Sequence, residues 1–323
     1  MINYNYRFIK EVQIMLQNIL YNCIYVEKNA KHVKINYNKI ESIITNIDCT
    51  DLKHWLSSNP YNLFNLDISF IVNLMLLFES IDYSFWGNPK WTIDTEIGKK
   101  DGSDALLYIM IKYAKENKTL DFTKVTFEDF KSLLTGNVDI PLLKDRYQTL
   151  VEISSIVNNK MNGNFYEYIK DVKEDTKLFD IIIKNFPSFK DERTYKGKTI
   201  YFYKLAQLLT SDILHIRETI ENINVDYSHL VGCADYKIPQ TMRALEILRY
   251  DDELSKIIDN KIEIGCSSEY EVEIRASMIV VIDYIKNKLH NINAIDINDY
   301  FFIMSQKLNK IVKPYHLCRN KNY

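Results

Sequence analysis

Five short stretches of the chain mix carboxylates, cations and aromatic rings where plain apolar residues would pack more simply. Asp82-Tyr83-Ser84-Phe85-Trp86, with Lys90-Trp91 close behind, sets rings around an acid. Such rings offer π faces on which a flat base stacks, and they equally make a hydrophobic corner at the Asn88-Pro89 turn. Phe202-Tyr203-Lys204-Leu205-Ala206-Gln207 puts Lys204 and Gln207 on one helix face. A lysine among Tyr203 and apolar neighbours suits an anion better than a solvated one does. Asp235 lies among Val231, Gly232, Cys233 and Ala234, just before Tyr236. A carboxylate there is costly to bury unless paired. It reads either as the cap of a helix that Pro239 helps to open or as a catalytic group. Glu271, Glu273 and Arg275 follow Ser267-Ser268, which can cap a helix. The plain reading of Glu271 and Arg275, four apart, is a surface ion pair. The tail carries Tyr315, His316, Arg319 and Tyr323, rich chemistry for an end that would ordinarily fray.

Several classes of function are excluded. The sequence has no P-loop, no dinucleotide-binding glycine pattern and no GxSxG elbow. Its five cysteines, at 23, 49, 233, 266 and 318, form no CxxC and suit no zinc site. They read as reduced thiols of a cytoplasmic protein, and no metal motif is present. The 41 basic and 43 acidic residues give a net charge of -2. Polyanion binders show a basic excess, so polymeric nucleic acid is not the expected partner, although a pocket for one phosphate is compatible. The N-terminal MINYNYRFIKEV lacks the apolar core of a signal peptide. The most apolar run, Ile68 to Phe78, includes Ser69 and Asn73 and is too short to span a bilayer. It reads as a buried helix, and no membrane partner is expected.

Long helices must position these groups, because only 8 Gly and 6 Pro punctuate the chain. Apolar residues at Phe8, Val12, Met15, Leu16, Ile19 and Leu20 make a helical stripe. Similar patterns predict helices over residues 67–80, 105–116, 141–157, 205–221, 240–249, 271–289 and 299–311. Thr126 and Asp296 read as helix starts. Residues 90–93 and 96–99 suit a small hairpin, and 199–202 a short strand after a Lys-Gly turn. With no repeat and no linker, residues 1–323 read as a single, mainly α domain with a small β element.

Eight motifs occur in the order found in the queuosine 5′-phosphate N-glycosylase/hydrolase (queuosine salvage) family, which the chain resembles. They are Asp82–Trp86, Lys90–Thr92, Pro141–Arg146, Phe186–Asp191, Phe202–Gln207, Ala234–Gln240, Glu271–Arg275 and Pro314–Tyr323. Eight ordered matches, from about residue 50 to the last, are far more specific than any one of them. The chain departs from the family pattern at several places. Leu205 stands for an Arg, Asp82 for an Asn and Tyr83 for a Phe. Ser103-Asp104 replaces an aromatic pair, and Leu56 stands where many members have a His, with His54 displaced by two.

The resemblance implies a compact helical fold akin to DNA glycosylases, without metal or cofactor. It also implies release of queuine from queuosine 5′-monophosphate, a small nucleotide, for salvage into tRNA modification. Glycosidic cleavage passes through a cationic sugar that a nearby carboxylate stabilises, and Asp235 is the candidate. Lys204, Arg275, His316 and Arg319 are candidates for the 5′-phosphate. Tyr83 and Trp86 are candidates for stacking on the base, and Phe85 and Tyr236 are candidates for binding the substrate. Asp82, Glu271 or Glu273 would pair with the secondary amine of the queuine side chain. The alternatives are a nucleosidase for unphosphorylated queuosine or another modified nucleotide, and a protein that binds queuine or the nucleotide without cutting it. A DNA-repair role fits poorly with the near-neutral charge.

Overall fold

The computed structural model describes residues 2–58, 60–117, 120–307 and 313–323. Three helices buried nearly all round form its centre: α3 (Ile68–Ser80), α9 (Lys204–Glu221) and α12 (Glu269–Lys288). In α3 this follows from composition, since Ile71 to Phe78 is almost continuously apolar. Around the three lie α1 (Ile2–Asn29), α2 (Tyr37–Ile44), α4 (Gly102–Asn117), α5 (Phe127–Leu133), α6 (Leu143–Lys160), α7 (Phe165–Ile169), α8 (Asp175–Asn185), α10 (Lys237–Ala244), α11 (Asp252–Asp259) and α13 (Ala294–Lys307). Helix α1 runs along α12, and α3 packs on α9. The mainly α class predicted from the sequence is the observed one. Among the described residues, no helix is long and apolar enough to cross a membrane.

Among the described residues the strands form three antiparallel pairs. β2 (Thr92–Thr95) pairs with β3 (Gly98–Asp101), and β4 (Glu192–Tyr195) with β5 (Lys198–Tyr201). The first hairpin lies two residues beyond the predicted one, and β5 lies one residue before the predicted 199–202 strand, whose partner β4 the sequence did not suggest. The pairing of β1 (Val33–Ile35) with β6 (Leu248–Tyr250) joins distant parts of the chain and has no local signature. It also ends the predicted 240–249 helix early, because α10 stops at Ala244 and the chain turns into β6. Thr126 caps α5 as expected, accepting the Asp129 N–H. Asp296 instead lies inside α13 and accepts the N–H of Asn293 at 2.8 Å, as the acidic partner of a capping box. Residues 308–311 of the predicted last helix, and the side chains of Phe8 and Val12, lie outside the described set.

The reading of Glu271 and Arg275 as a surface pair is corrected, because both are fully buried. Arg275 grips Asp191 with two nitrogens, at 3.0 and 2.5 Å, and donates to the Ala234 carbonyl at 2.9 Å. The rings of Phe202 and Tyr323 lie 4.0 and 4.2 Å from its guanidinium carbon. Glu271 accepts from Arg193 at 3.0 Å and from the Ser267 N–H at 2.6 Å. Glu273 takes the N–H groups of Lys31, His32 and Val33 and the Tyr195 hydroxyl, fastening the entry to β1. Burial would raise Asp191, but Arg275 and then Arg193 outweigh it and hold its carboxyl below the usual range. Removing one partner of such a pair leaves a buried charge uncompensated. Asp191→Asn is therefore expected to cost about 3–5 kcal/mol of stability, read from the urea midpoint. A loss below about 1 kcal/mol, the scale of a surface pair, would refute this assignment.

Candidate active site

A cavity of about 640 Å³ opens between the end of α3, the start of α9, the loop before α10, and α13. That volume suits a small ligand. Asp82, Tyr83, Phe85, Lys204, Asp235 and Tyr236, all singled out in the sequence, line it together. Each is placed by identifiable contacts.

Lys204 is the first residue of α9. Asp191 collects the three N–H groups that lead into this helix: its carbonyl accepts from Phe202 and Tyr203, and its carboxylate from Lys204. The loop carrying Asp235 is tied at every step. Gln207 of α9 accepts from Val231 and donates to Gly232, Asn298 of α13 accepts from Cys233, and Arg275 donates to Ala234. Gly232 has φ +116°, and a Cβ there would meet the Ile282 side chain at 2.9 Å, so only glycine fits. Asp235 itself accepts the Ile238 N–H at 2.9 Å. It thus satisfies an N–H of the first turn of α10, from the position before the N-cap Tyr236, and lines the cavity at once, so the two readings of this residue are compatible.

The aromatic segment is held from beneath by Arg146, fully buried, which donates to the carbonyls of Ile81, Tyr83 and Pro141. Its guanidinium lies 4.5 Å from the Tyr83 ring and 4.6 Å from that of Phe85. The C-terminal segment holds the other side. The Ser84 N–H donates to the Tyr323 carbonyl at 2.9 Å, and its hydroxyl to the Asn320 carbonyl at 2.7 Å. Tyr315 and Tyr323 also reach the cavity, with the ring of Tyr315 4.8 Å from that of Tyr236.

The other predicted site residues do not line the cavity. Glu271, Glu273 and Arg275 are consumed by the interior network described above. Trp86 turns away and stacks with Arg319 at 4.0 Å, while Arg319 reaches toward Glu263 at 3.6 Å. His316 is buried against Tyr323. Burial, then Arg275, lowers its imidazole to about 3, so it is neutral and unsuited to clamp a phosphate.

What the sequence reading missed is how acidic the site is. Asp82 lies 3.2 Å from the Lys204 ammonium. Burial works against that charge, but Asp82, then Glu79 and Asp235, outweigh it and hold Lys204 above the usual lysine range. Burial, then Asp212 and Asp82, pushes the Glu79 carboxyl well up, and burial likewise raises Asp212. Asp235 is raised by burial, with Lys204 the main opposing influence. Asp299, on the cavity wall, is pushed up to about 7 by burial. A clip at residues 54–55 serves these acids. The Trp55 indole donates to Asp212 at 2.9 Å, its backbone N–H donates to Asp299 at 3.0 Å, and His54 lies 3.4 Å from Asp212. His54 stacks on His215 at 4.0 Å and is held neutral by burial and by that neighbour. These acids are scattered over α3, α9 and α13, so no local spacing reveals them. At the mouth, Lys90, Lys100 and Lys237 face the cavity beside Asp101 and Asp104. Burial and then Lys90 lower the Lys237 ammonium.

Groups able to share a metal ion lie elsewhere. Among the described residues they are Cys266, Glu271 and Cys318, and Asp175, Asp226 and His229, and none of these lines the cavity.

The fold and site therefore define an α-helical protein with a cavity of nucleotide size lined by acids, lysines and aromatic rings. The chain belongs to the queuosine salvage protein family, whose model matches residues 64–323. It is 30% identical to a Sphaerobacter thermophilus protein named queuosine 5′-phosphate N-glycosylase/hydrolase, over 78% of this chain and 81% of that protein. Proteins of the same name from Mus musculus and Dictyostelium discoideum are 25% and 26% identical. The matches cover 91% and 90% of this chain and 89% and 94% of those proteins.

The raised Asp299 makes stability depend on pH. The unfolded carboxyl ionises near 3.8 and the folded one near 7. Between these values the folded state keeps a proton that the unfolded chain has released, so stability falls as pH rises. Asp299→Asn should flatten the fall in unfolding free energy between about pH 4.5 and pH 7.5, measured by urea titration at each pH. Parallel curves for parent and variant would count against the protonated Asp299.

Proposed function

We propose that this chain hydrolyses queuosine 5′-monophosphate to queuine and ribose 5-phosphate. The observation that carries the reading is the meeting of Asp82, Lys204 and Asp235 in one cavity, in a family whose curated relatives bear that activity's name. In the reaction the bond between C1′ and the base breaks, water supplies the new C1′–O bond, and its proton balances the departing base. A 7-deazapurine has no N7 to protonate, so catalysis leans on the sugar side. In its ionised form Asp235 stabilises positive charge at C1′ and orients the water. Burial raises its carboxyl, and Lys204 is the main influence that favours the anion.

The distribution of charge suggests how the substrate lies. A phosphate near Lys204 would meet Asp82 and Asp235, with Lys204 already engaged. Lys90 and Lys100 are likewise paired, with Asp101 and Asp104, which leaves Lys237 of these lining lysines, so the phosphate is assigned to it rather than to Lys204, Arg275, His316 or Arg319. The base is assigned to the rings of Tyr83, Phe85 and Tyr236. Of the three acids considered for the queuine amine, Asp82 alone lines the cavity, and its Oδ1 has no hydrogen-bond partner among the described residues. Asp82 is therefore assigned to that cation.

Asp235→Asn keeps shape and can still accept the Ile238 N–H through its amide oxygen. It should lower kcat by at least ~100-fold, the scale of losing a dominant electrostatic group, while the thermal midpoint stays close to the parent's. A folded variant turning over at near the parent rate would remove Asp235 from catalysis. Lys237→Ala should raise KM for the 5′-phosphate by about 10- to 150-fold, equivalent to the ~1.5–3 kcal/mol of a charge-assisted hydrogen bond. Turnover of unphosphorylated queuosine should change little. Equal losses on both substrates would move the phosphate site elsewhere, and release of queuine from neither substrate by the parent would favour the binding-protein alternative.

A further inference from the structure

Behind the cavity, where the C-terminal segment meets the loop that opens α12, two thiols face each other. The sulfurs of Cys266 and Cys318 and a Glu271 oxygen all lie within 4.8 Å of one another. A cation is a poor occupant. Glu271 already accepts from Arg193, from the Ser267 N–H and from Arg275, and two guanidinium groups would repel a metal ion. The sulfurs are left to each other. The backbone fixes their approach, since Glu263 bridges to Leu317 and the Ile264 N–H donates to the Leu317 carbonyl at 2.7 Å. Cys266 is exposed while Cys318 is buried, so one sulfur can meet an oxidant and the other is held ready to resolve it.

We propose that Cys266 and Cys318 form a reversible thiol–disulfide site that, when oxidised, ties the C-terminal segment to the start of α12. The Cys266 thiol is lowered to about 7, first by the S–H of Cys318, with Arg193 and Arg275 contributing against burial, so a good share is thiolate at neutral pH. The oxidant is hydrogen peroxide. The Cys266 thiolate attacks one peroxide oxygen, the O–O bond breaks, and the departing hydroxide takes up the proton that the thiol had released, leaving a sulfenic acid and water. The Cys318 sulfur then attacks the sulfenic sulfur, the S–O bond breaks and a second water leaves, carrying the Cys318 proton. Two thiols are oxidised and one peroxide is reduced to two waters. Closing the bond draws the sulfurs to about 2.05 Å, a movement that the exposed Cys266 loop can supply. The tie matters because the same segment carries Tyr315 and Tyr323 to the cavity and holds Ser84.

The test uses the full chain carrying Cys49→Ser, which removes the other exposed thiol. The protein is treated with stoichiometric hydrogen peroxide, remaining thiols are alkylated, and peptides are mapped without reduction. The expected result is one linked pair, Cys266 with Cys318, which dithiothreitol reverses and which is absent after Cys266→Ser. The thermal midpoint of the oxidised protein should rise by roughly 3–6 °C, with no rise in the Cys266→Ser protein. Over-oxidation of Cys266 with Cys318 left free would overturn the proposal, as would linkage without a shift in midpoint. Protection of both thiols by zinc would overturn it too, by making the trio a metal site.

Discussion

The buried pair of Arg275 and Asp191 is the constraint on which the site depends. Each member does two jobs. Arg275 holds Asp191 and also the Ala234 carbonyl, one residue from Asp235. Asp191 holds Arg275 and also the N–H groups that begin α9, where Lys204 sits. The position of the Asp235 loop relative to Lys204 is therefore set through a charge pair that touches neither cavity nor solvent. The Phe202 and Tyr323 rings on either side of the guanidinium exclude water from it, which strengthens the pair and raises the penalty for breaking it. The C-terminal residue is built into the same unit, so the end of the chain is ordered by the interaction that orders the site.

Above this frame, several buried acids gather around one buried cation, Lys204. Lys204 faces Asp82, Glu79 and Asp235, while Asp212 and Asp299 rely on Trp55 and its neighbours. Burial raises the carboxyls of Glu79, Asp212 and Asp299. It raises Asp235 too, where Lys204 opposes it. A group of buried acids around one lysine suits a reaction that develops positive charge on a sugar. It is a poor place for a phosphate, which is why Lys237 takes that role in the proposed arrangement.

The helical class, most helix positions and six of the cavity residues were legible in the sequence, because they rest on apolar periodicity and on contiguous motifs. What was not legible is telling. Glu271, Glu273 and Arg275 look alike in a string, yet α12 is buried on every side, so their charges serve the interior. Trp86 and Tyr83 belong to one short segment but face opposite ways, because Ser84 between them has φ +45° and is anchored to the tail. Asp212, Asp299 and Glu79 sit in ordinary helical patterns and become a cluster only when α3, α9 and α13 meet. The β1–β6 pairing is invisible locally for the same reason.

Two departures from the family pattern bear on this electrostatic design. Where the family has an Arg after its lysine, Leu205 is packed in the core, 1% exposed, and contributes no charge. Where the family has an Asn, Asp82 adds a carboxylate that pairs with Lys204. Together they make this chain's pattern more negative by two charges than the one it resembles. An Asp82 lacking a cation would face the desolvation cost that raises Glu79 and Asp212, and Lys204 relieves it. The departures are thus coupled through one ammonium group. Lys204 neutralises an acid that the family pattern does not contain, and it has correspondingly less charge to offer a substrate anion. The same Asp82 keeps one buried oxygen without a hydrogen-bond partner among the described residues, so what the site gives up in attraction for anions is, in the proposed arrangement, what suits it to a cationic arm.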